Sequence, residues 1–155
     1  MSATPLIQLL AAHTDGLTGQ ALEDFLLNPR TPSFRRVPRA EIIERVGALY
    51  RNLAHWLTTH DDDAVRAAYE DWGRKRFTQA IPLSEIAYSV ILAKQHLQRR
   101  AREHGLTDLH AVEALLGEFF DRALYYLVRG YEMQAATASL EPQPGGPIVH
   151  PPSPR

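Results

Sequence analysis

The sequence predicts an all-α protein built from five to six helices. Apolar residues recur at steps of three and four along most of the chain, no segment alternates with the period of a strand, and prolines and one glycine fall where such helices would start and stop. The first helix opens at Thr4-Pro5, an N-cap followed by proline in the favoured first position. It runs through Leu6, Leu9 and Leu10, pauses near Gly16 to Gly19, and resumes through Leu22, Phe25 and Leu26 until Asn28-Pro29 stops it. A loop, RTPSFRRV, leads to Pro38, again a first-turn proline.

The second helix carries the clearest stripe: Ile42, Val46, Leu49, Leu53, Trp56 and Leu57. Each of these side chains contributes roughly 1.5–3 kcal/mol once buried. Asp61 to Asp63 suit the start of a third helix, because carboxylates accept bonds from its free amides and favour its dipole. That helix places Val65, Ala68, Tyr69 and Trp72 on one side. Pro82 opens a fourth, with Glu85 in its first turn and Leu83, Ile86, Ala87, Val90, Ile91 and Leu97 inward. A cationic last turn and Gly105 end it. Thr107 is the expected cap of a fifth, with Val112, Leu115, Leu116, Phe119, Ala123 and Leu127 inward and at least Tyr131 included.

These elements imply one all-helical domain over residues 1–135. Six of the eleven prolines crowd between Pro142 and Pro154, so residues 136–155 read as a Pro/Gly-rich flexible tail with little to bury. A formal charge of −1 gives no reason to expect nucleic acid or an anionic membrane as partner. The absence of cysteine removes disulfides, thiolate metal sites and cysteine nucleophiles. No apolar run is long enough to span a bilayer, and the N-terminus lacks the basic region of a signal peptide. The expectation is a cytoplasmic protein.

No motif points to an enzyme: there is no glycine-rich phosphate loop and no Gly-x-Ser-x-Gly. The seven histidines form no His-x-x-x-His pair and no Glu-x-x-His, so no metal site is expected. At about 100° per residue, His96 falls opposite the Ile86/Val90/Leu97 stripe, as a surface histidine. In that position it is a phosphotransfer candidate, with Arg99 and Arg100 nearby to hold a phosphoryl group.

Two cations sit on apolar stripes. Arg76 lies one turn beyond Trp72, and Lys94 lies between Val90 and Leu97. A buried charge must snorkel, pair with a carboxylate or border a polar cavity. Arg76, Lys94 and Trp72 therefore mark either an internal ion pair or a cleft for an anionic or polar ligand. On the fifth helix, Phe119, Phe120, Tyr125, Tyr126 and Tyr131 point in several directions around the cylinder. That pattern belongs to a central helix or to one shared with a second copy, and a homodimer interface through these five residues is the expectation.

The stretches FLLNPRTPSFRRVPRAEIIERVGALYRNLAHWL, YEDWGRKRFTQAIPLSEIAYSVILAKQHL and FFDRALYYLVRGYE resemble the N-terminal domain of the RsbR/RsbRD type of RsbT co-antagonist. The most specific block runs from Trp72-Gly73 through Arg76 to Pro82–Glu85, and the resemblance covers roughly residues 6 to 133. It implies a globin-like helical bundle, usually without haem, often dimeric through its terminal helices. It also implies a sensory or regulatory input to bacterial stress signalling, acting through a partner protein. A haem-binding gas sensor is the alternative that this fold raises. Stressosome members continue into a phosphorylatable output domain, whereas only the proline-rich tail follows here.

Overall fold

The computed structural model describes residues 3–140; the side chains of residues 13–15, 17 and 18 lie outside that description, as do residues 1, 2 and 141–155. Among the described residues there are helices and no strands: α1 (Thr4–Leu27), a short 3-10 helix η1 (Pro32–Arg36), α2 (Arg39–Thr59), α3 (Asp62–Thr78), α4 (Leu83–Glu103) and α5 (Leu109–Leu140). The all-α expectation is met. None of these helices is long and apolar enough to cross a membrane.

Local chemistry explains most boundaries. Asp61 caps α3, its Oδ1 accepting from the Ala64 amide at 3.1 Å. Asp62, next to it, accepts from the Trp56 indole at 2.9 Å and so ties the end of α2 to the start of α3. Pro38 and Pro82 stand at the N-caps of α2 and α4. Gly105 ends the α4 region with φ +63°, a left-handed conformation that glycine adopts without a Cβ clash.

Four sequence expectations shift. Ala3 occupies the N-cap of α1, one residue before Thr4. The helix also runs unbroken past Gly16 and Gly19. Asp108 caps α5 in place of Thr107, because its carboxylate accepts from the Ala111 amide at 3.2 Å. Finally, α5 continues to Leu140, so helix occupies the start of the stretch read as tail from 136. The remainder of that tail lies outside the described residues.

Packing is organised around α5. It runs parallel to α3: Arg122 meets Asp62, Arg129 meets Glu70, and Phe77 stacks edge-on to Tyr131. The two backbones touch at two glycines. A Cβ on Gly73 would strike the Leu127 carbonyl and lie 2.8 Å from the Tyr131 amide nitrogen. A Cβ on Gly130 would strike the Glu70 carbonyl. Antiparallel to this pair, α4 bridges α5 and α1 through Arg102–Glu113 on one flank and His96–Asp24 on the other. Trp56 of α2 closes the core against Phe119, with ring centroids 5.9 Å apart.

Gly130→Ala should therefore destabilise the fold by about 1–3 kcal/mol, the range for forcing atoms into a packed site. Gly117, whose Cβ position is open, serves as the control, since Gly117→Ala should raise stability by up to ~1 kcal/mol through helix propensity. Urea unfolding of the two variants measures both.

Candidate functional site

The densest polar chemistry lies where the end of α3 meets the start of α2. Arg76 is 2% exposed, although it sits only two residues from the helix end. Its Nη1 donates to Gln79 Oε1 at 2.8 Å and lies 3.6 Å from Glu41 Oε1. Gln79 Nε2 donates to that same carboxylate oxygen at 2.8 Å, and Lys75 Nζ approaches it to 3.2 Å. Glu41 stands in the first turn of α2, where the helix dipole also favours a negative charge.

Burial pulls the Glu41 carboxyl upward, but the bonds from Gln79 and Lys75 and the charges of Lys75 and Arg76 leave it below its ordinary range. Burial depresses Arg76 to about 10, Arg45 pushes in the same direction, and Glu41 opposes them. Arg76 stays charged at neutral pH. Its guanidinium also lies 5.3 Å from the Phe34 ring centroid and 5.6 Å from that of Trp72, close enough for cation–π attraction.

The loop before α2 is fastened from the other side. Glu85, in the first turn of α4, accepts from the Ser33 amide at 2.9 Å and from Ser33 Oγ at 2.8 Å. These bonds hold η1, and with it Phe34, against α4. Tyr131 of α5 donates its hydroxyl to the Ile81 carbonyl at 2.9 Å and steadies the α3–α4 turn.

Behind this network is a cavity of about 20 Å³, bordered by Phe34, Arg45, Val46, Trp72, Arg76 and Ser89 among others. That is room for about one water. Arg45 lies over the face of Trp72 at 5.6 Å, as Arg76 does. The Trp72 Nε1 is buried without a hydrogen-bond partner.

Arg76 and Trp72 thus meet at one site. Lys94 does not join them: it is partly exposed and does not line the cavity. Four residues on from Val90, it overshoots the stripe by about 40°, and the cavity face of α4 is instead Ser89, Val90 and Ala93. Arg76 pairs with Glu41 and also borders the cavity. Arg45 was not singled out from the sequence. Its signal was its place three residues after Ile42, on the flank of the α2 stripe.

His96 is a correction. It is 3% exposed, because α4 is covered by α1 as well as by α5. Nε2 lies 2.5 Å from Asp24 Oδ2, a contact that is an ion pair only when the ring is protonated, and Nδ1 is 3.5 Å from Arg99 Nη2. A phosphodonor has no open path to this ring, so the basis for phosphotransfer at His96 is lost. Among the described residues, no group of three or more His, Asp or Glu is placed to hold a metal.

The aromatic residues of α5 also divide. Phe119 and Phe120 are inside the fold, at 0% and 2% exposure, and face no second copy. Tyr131 and Tyr126 are partly buried, and Tyr125 alone of the five is largely exposed, at 59%. The helix is central, which is why one stripe could not hold its aromatic rings.

A family model described as the RsbT co-antagonist protein rsbRD N-terminal domain matches residues 27–141. The chain belongs to this family. No curated protein and no solved structure matches the chain. The rsbRD N-terminal domain match contains Ser33, Glu41, Arg45, Trp72, Arg76, Gln79 and Glu85, the whole polar network. Of the His96–Asp24 pair, only Asp24 lies before the matched residues.

Breaking the Arg76 pair should cost more than deleting it. Glu41→Ala leaves a buried charge with no carboxylate partner and should destabilise by about 3 kcal/mol, whereas Arg76→Met should cost clearly less. The double variant should cost less than the sum of the two single variants in urea unfolding.

His96 gives a pH dependence. Burial lowers its pKa, Asp24 opposes this, and Arg99 adds to the lowering, with a net fall from the ordinary 6.5. The folded ring thus binds fewer protons than the unfolded one near that pH. Its contribution is fully present above the ordinary pKa and is lost as pH falls from there through the lowered pKa of the folded ring. Thermal melting should show this acid-side loss, and His96→Gln should flatten it.

Proposed function

We propose that the chain is a non-enzymatic regulatory input domain of bacterial signal transduction that acts through protein–protein contact, in the cytoplasm. The family match over residues 27–141 carries this reading. The site geometry supports it in kind. Glu41, Gln79, Lys75 and Arg76 satisfy one another, and they join the start of α2 to the end of α3. Such a network suits a part that holds or changes a shape. The family's description as an RsbT co-antagonist domain makes an RsbT-type protein the place to look for the partner.

The homodimer belongs to this proposal, through only part of the surface expected from the sequence. With Phe119 and Phe120 inside the core, the face left on α5 is Tyr125, Tyr126 and Arg129. The cavity gives no support to haem: no histidine lines it, and its volume is about 20 Å³.

The test is complex formation between the purified chain and the RsbT-type kinase or stressosome scaffold encoded in the same genome, read by calorimetry and by light scattering. A micromolar complex is expected, typical of signalling contacts. No complex with either protein, together with no effect on kinase activity, would overturn the reading. Light scattering on the chain alone should give a dimer, and Tyr125→Glu should turn it into a monomer without lowering the melting temperature.

A further inference from the structure

We propose that the strip from Leu27 to Arg39 is a docking surface for an acidic stretch of a partner protein. Arg30, Arg35, Arg36 and Arg39 meet its carboxylates, and Leu27 takes an apolar side chain between them. The inference deepens the regulatory reading above by naming the face and the chemistry of the contact, and rests on that reading for its biological meaning.

Charge segregation is the first ground. Among the described residues, every arginine outside this strip except Arg45 has a carboxylate within 3.9 Å. The four arginines of residues 30–39 have no ion-pair partner among the described residues, and no acidic residue lies between them in the chain. Glu85, against which the strip rests, is spent on the two donors of Ser33. Glu41, just beyond it, is spent on Gln79, Lys75 and Arg76. The chain's net charge is −1, yet this one short strip carries four unmatched cations.

The second ground is how the strip is held. η1 spans Pro32–Arg36, and a 3-10 turn brings residues three apart onto one side. Thr31, Phe34 and Val37 form that side and are buried. Thr31 Oγ1 donates to the Phe25 carbonyl at 2.9 Å, and the Phe34 ring stacks on Phe25. The four arginines fall on the other sides and are exposed. Three of them are also fixed in direction. Arg30 lies over the Tyr88 ring, Arg35 Nε donates to the Leu26 carbonyl at 3.0 Å, and Arg36 Nη2 donates to the Ala80 carbonyl at 3.3 Å. One such bond uses one of the five guanidinium N–H groups and leaves donors for a carboxylate. Side chains already held lose less freedom when a partner binds.

The third ground is the apolar surface among the charges. Leu27 is 76% exposed at the end of α1, directly after the carbonyl that holds Arg35. Pro29, Pro32 and Pro38 are exposed along the same strip. An apolar side chain rimmed by arginines suits a protein contact, which covers the one and pairs the others with carboxylates. A nucleic-acid duplex or an anionic bilayer responds to the field of a whole surface, and a net charge of −1 supplies no such attraction. A short acidic segment responds only to charges within a Debye length, about 8 Å at physiological salt, and so to the strip alone.

Fluorescence anisotropy of a labelled peptide of repeated Glu-Glu-Leu units, titrated with the full chain, tests the proposal. Saturable micromolar binding is expected, weakening as salt is added. Arg39→Gln, at an exposed side chain, should keep the wild-type melting temperature and weaken binding several-fold. Combined with Arg35→Gln it should weaken binding by about tenfold or more, the loss of charge-assisted contacts, and Leu27→Ser should weaken binding as well. Arg51→Gln and Arg66→Gln remove exposed arginines that already have carboxylate partners, and should leave binding unchanged. Absence of saturation, equal binding of a Gln-Gln-Leu peptide, or an equal loss in the two control variants would overturn the proposal. So would unweakened binding by the arginine double variant or by Leu27→Ser. Tighter binding of a single-stranded oligonucleotide or of phosphatidylserine vesicles would assign the strip to another polyanion and overturn it too. The peptide measurement needs no RsbT-type protein, so failure of the strip and failure of the regulatory reading are distinguishable.

Discussion

The rest of the structure depends on the contact between the backbones of α3 and α5. At Gly73 and Gly130 no side chain separates the two helices, and any Cβ would meet a carbonyl of the other helix. This approach brings Tyr131 within reach of the Ile81 carbonyl and of Phe77. Those contacts set the α3–α4 turn, in which Ile81 donates back to the Arg76 carbonyl at 3.2 Å and Ala80 takes a left-handed φ of 57°. The position of Arg76 follows from that turn. A glycine crossing on one side of α3 thus determines where a cation is buried on the other.

Around that charge the fold uses polar atoms as fasteners between elements that share little apolar surface. Glu41 joins α2 to α3, Glu85 joins η1 to α4, and Asp62 joins α2 to α3 and α5 through Trp56 and Arg122. Each carboxylate sits at or near a helix start, where the dipole lowers the cost of holding it charged. Asp62 is half-exposed, whereas Glu41 and Glu85 are more deeply set and are satisfied by Gln79 and Lys75 and by the two donors of Ser33. The interior therefore tolerates charge because each buried ion has its partners supplied by a different element.

Much of this was legible in the residues. The α2 stripe, the Asp61 cap, the Gly105 stop and the inward aim of Arg76 all follow from spacing and local chemistry, which act over a few residues. The misreadings of His96 and of the α5 aromatic residues share one cause. A helical wheel assumes one buried side, yet α4 is covered by both α1 and α5, so His96 is buried on the face opposite Leu97. Likewise α5 touches α2, α3 and α4, so Phe119 and Phe120 are both interior. How many neighbours a helix has is a tertiary fact that no local pattern encodes. Gly73 and Gly130 did carry a signal. A glycine inside a helix costs about 1 kcal/mol relative to alanine, but Gly117 lies in α5 with open space at its Cβ position, so the signal did not single out the two contact positions.

The parallel run of α3 and α5 has a kinetic consequence. Parallel neighbours cannot be joined by a short hairpin, so α4 has to form and reverse the chain before the two helices meet. The Tyr131–Ile81 bond spans 50 positions, and the loop-closure entropy of such a contact is lost before any packing rewards it. Segments such as α2 can gain their turns locally, but the crossing that holds Arg76 in place belongs to the slow, non-local part of folding. A nascent chain that has not yet made α5 carries every partner of that arginine but lacks the crossing that fixes the turn behind it.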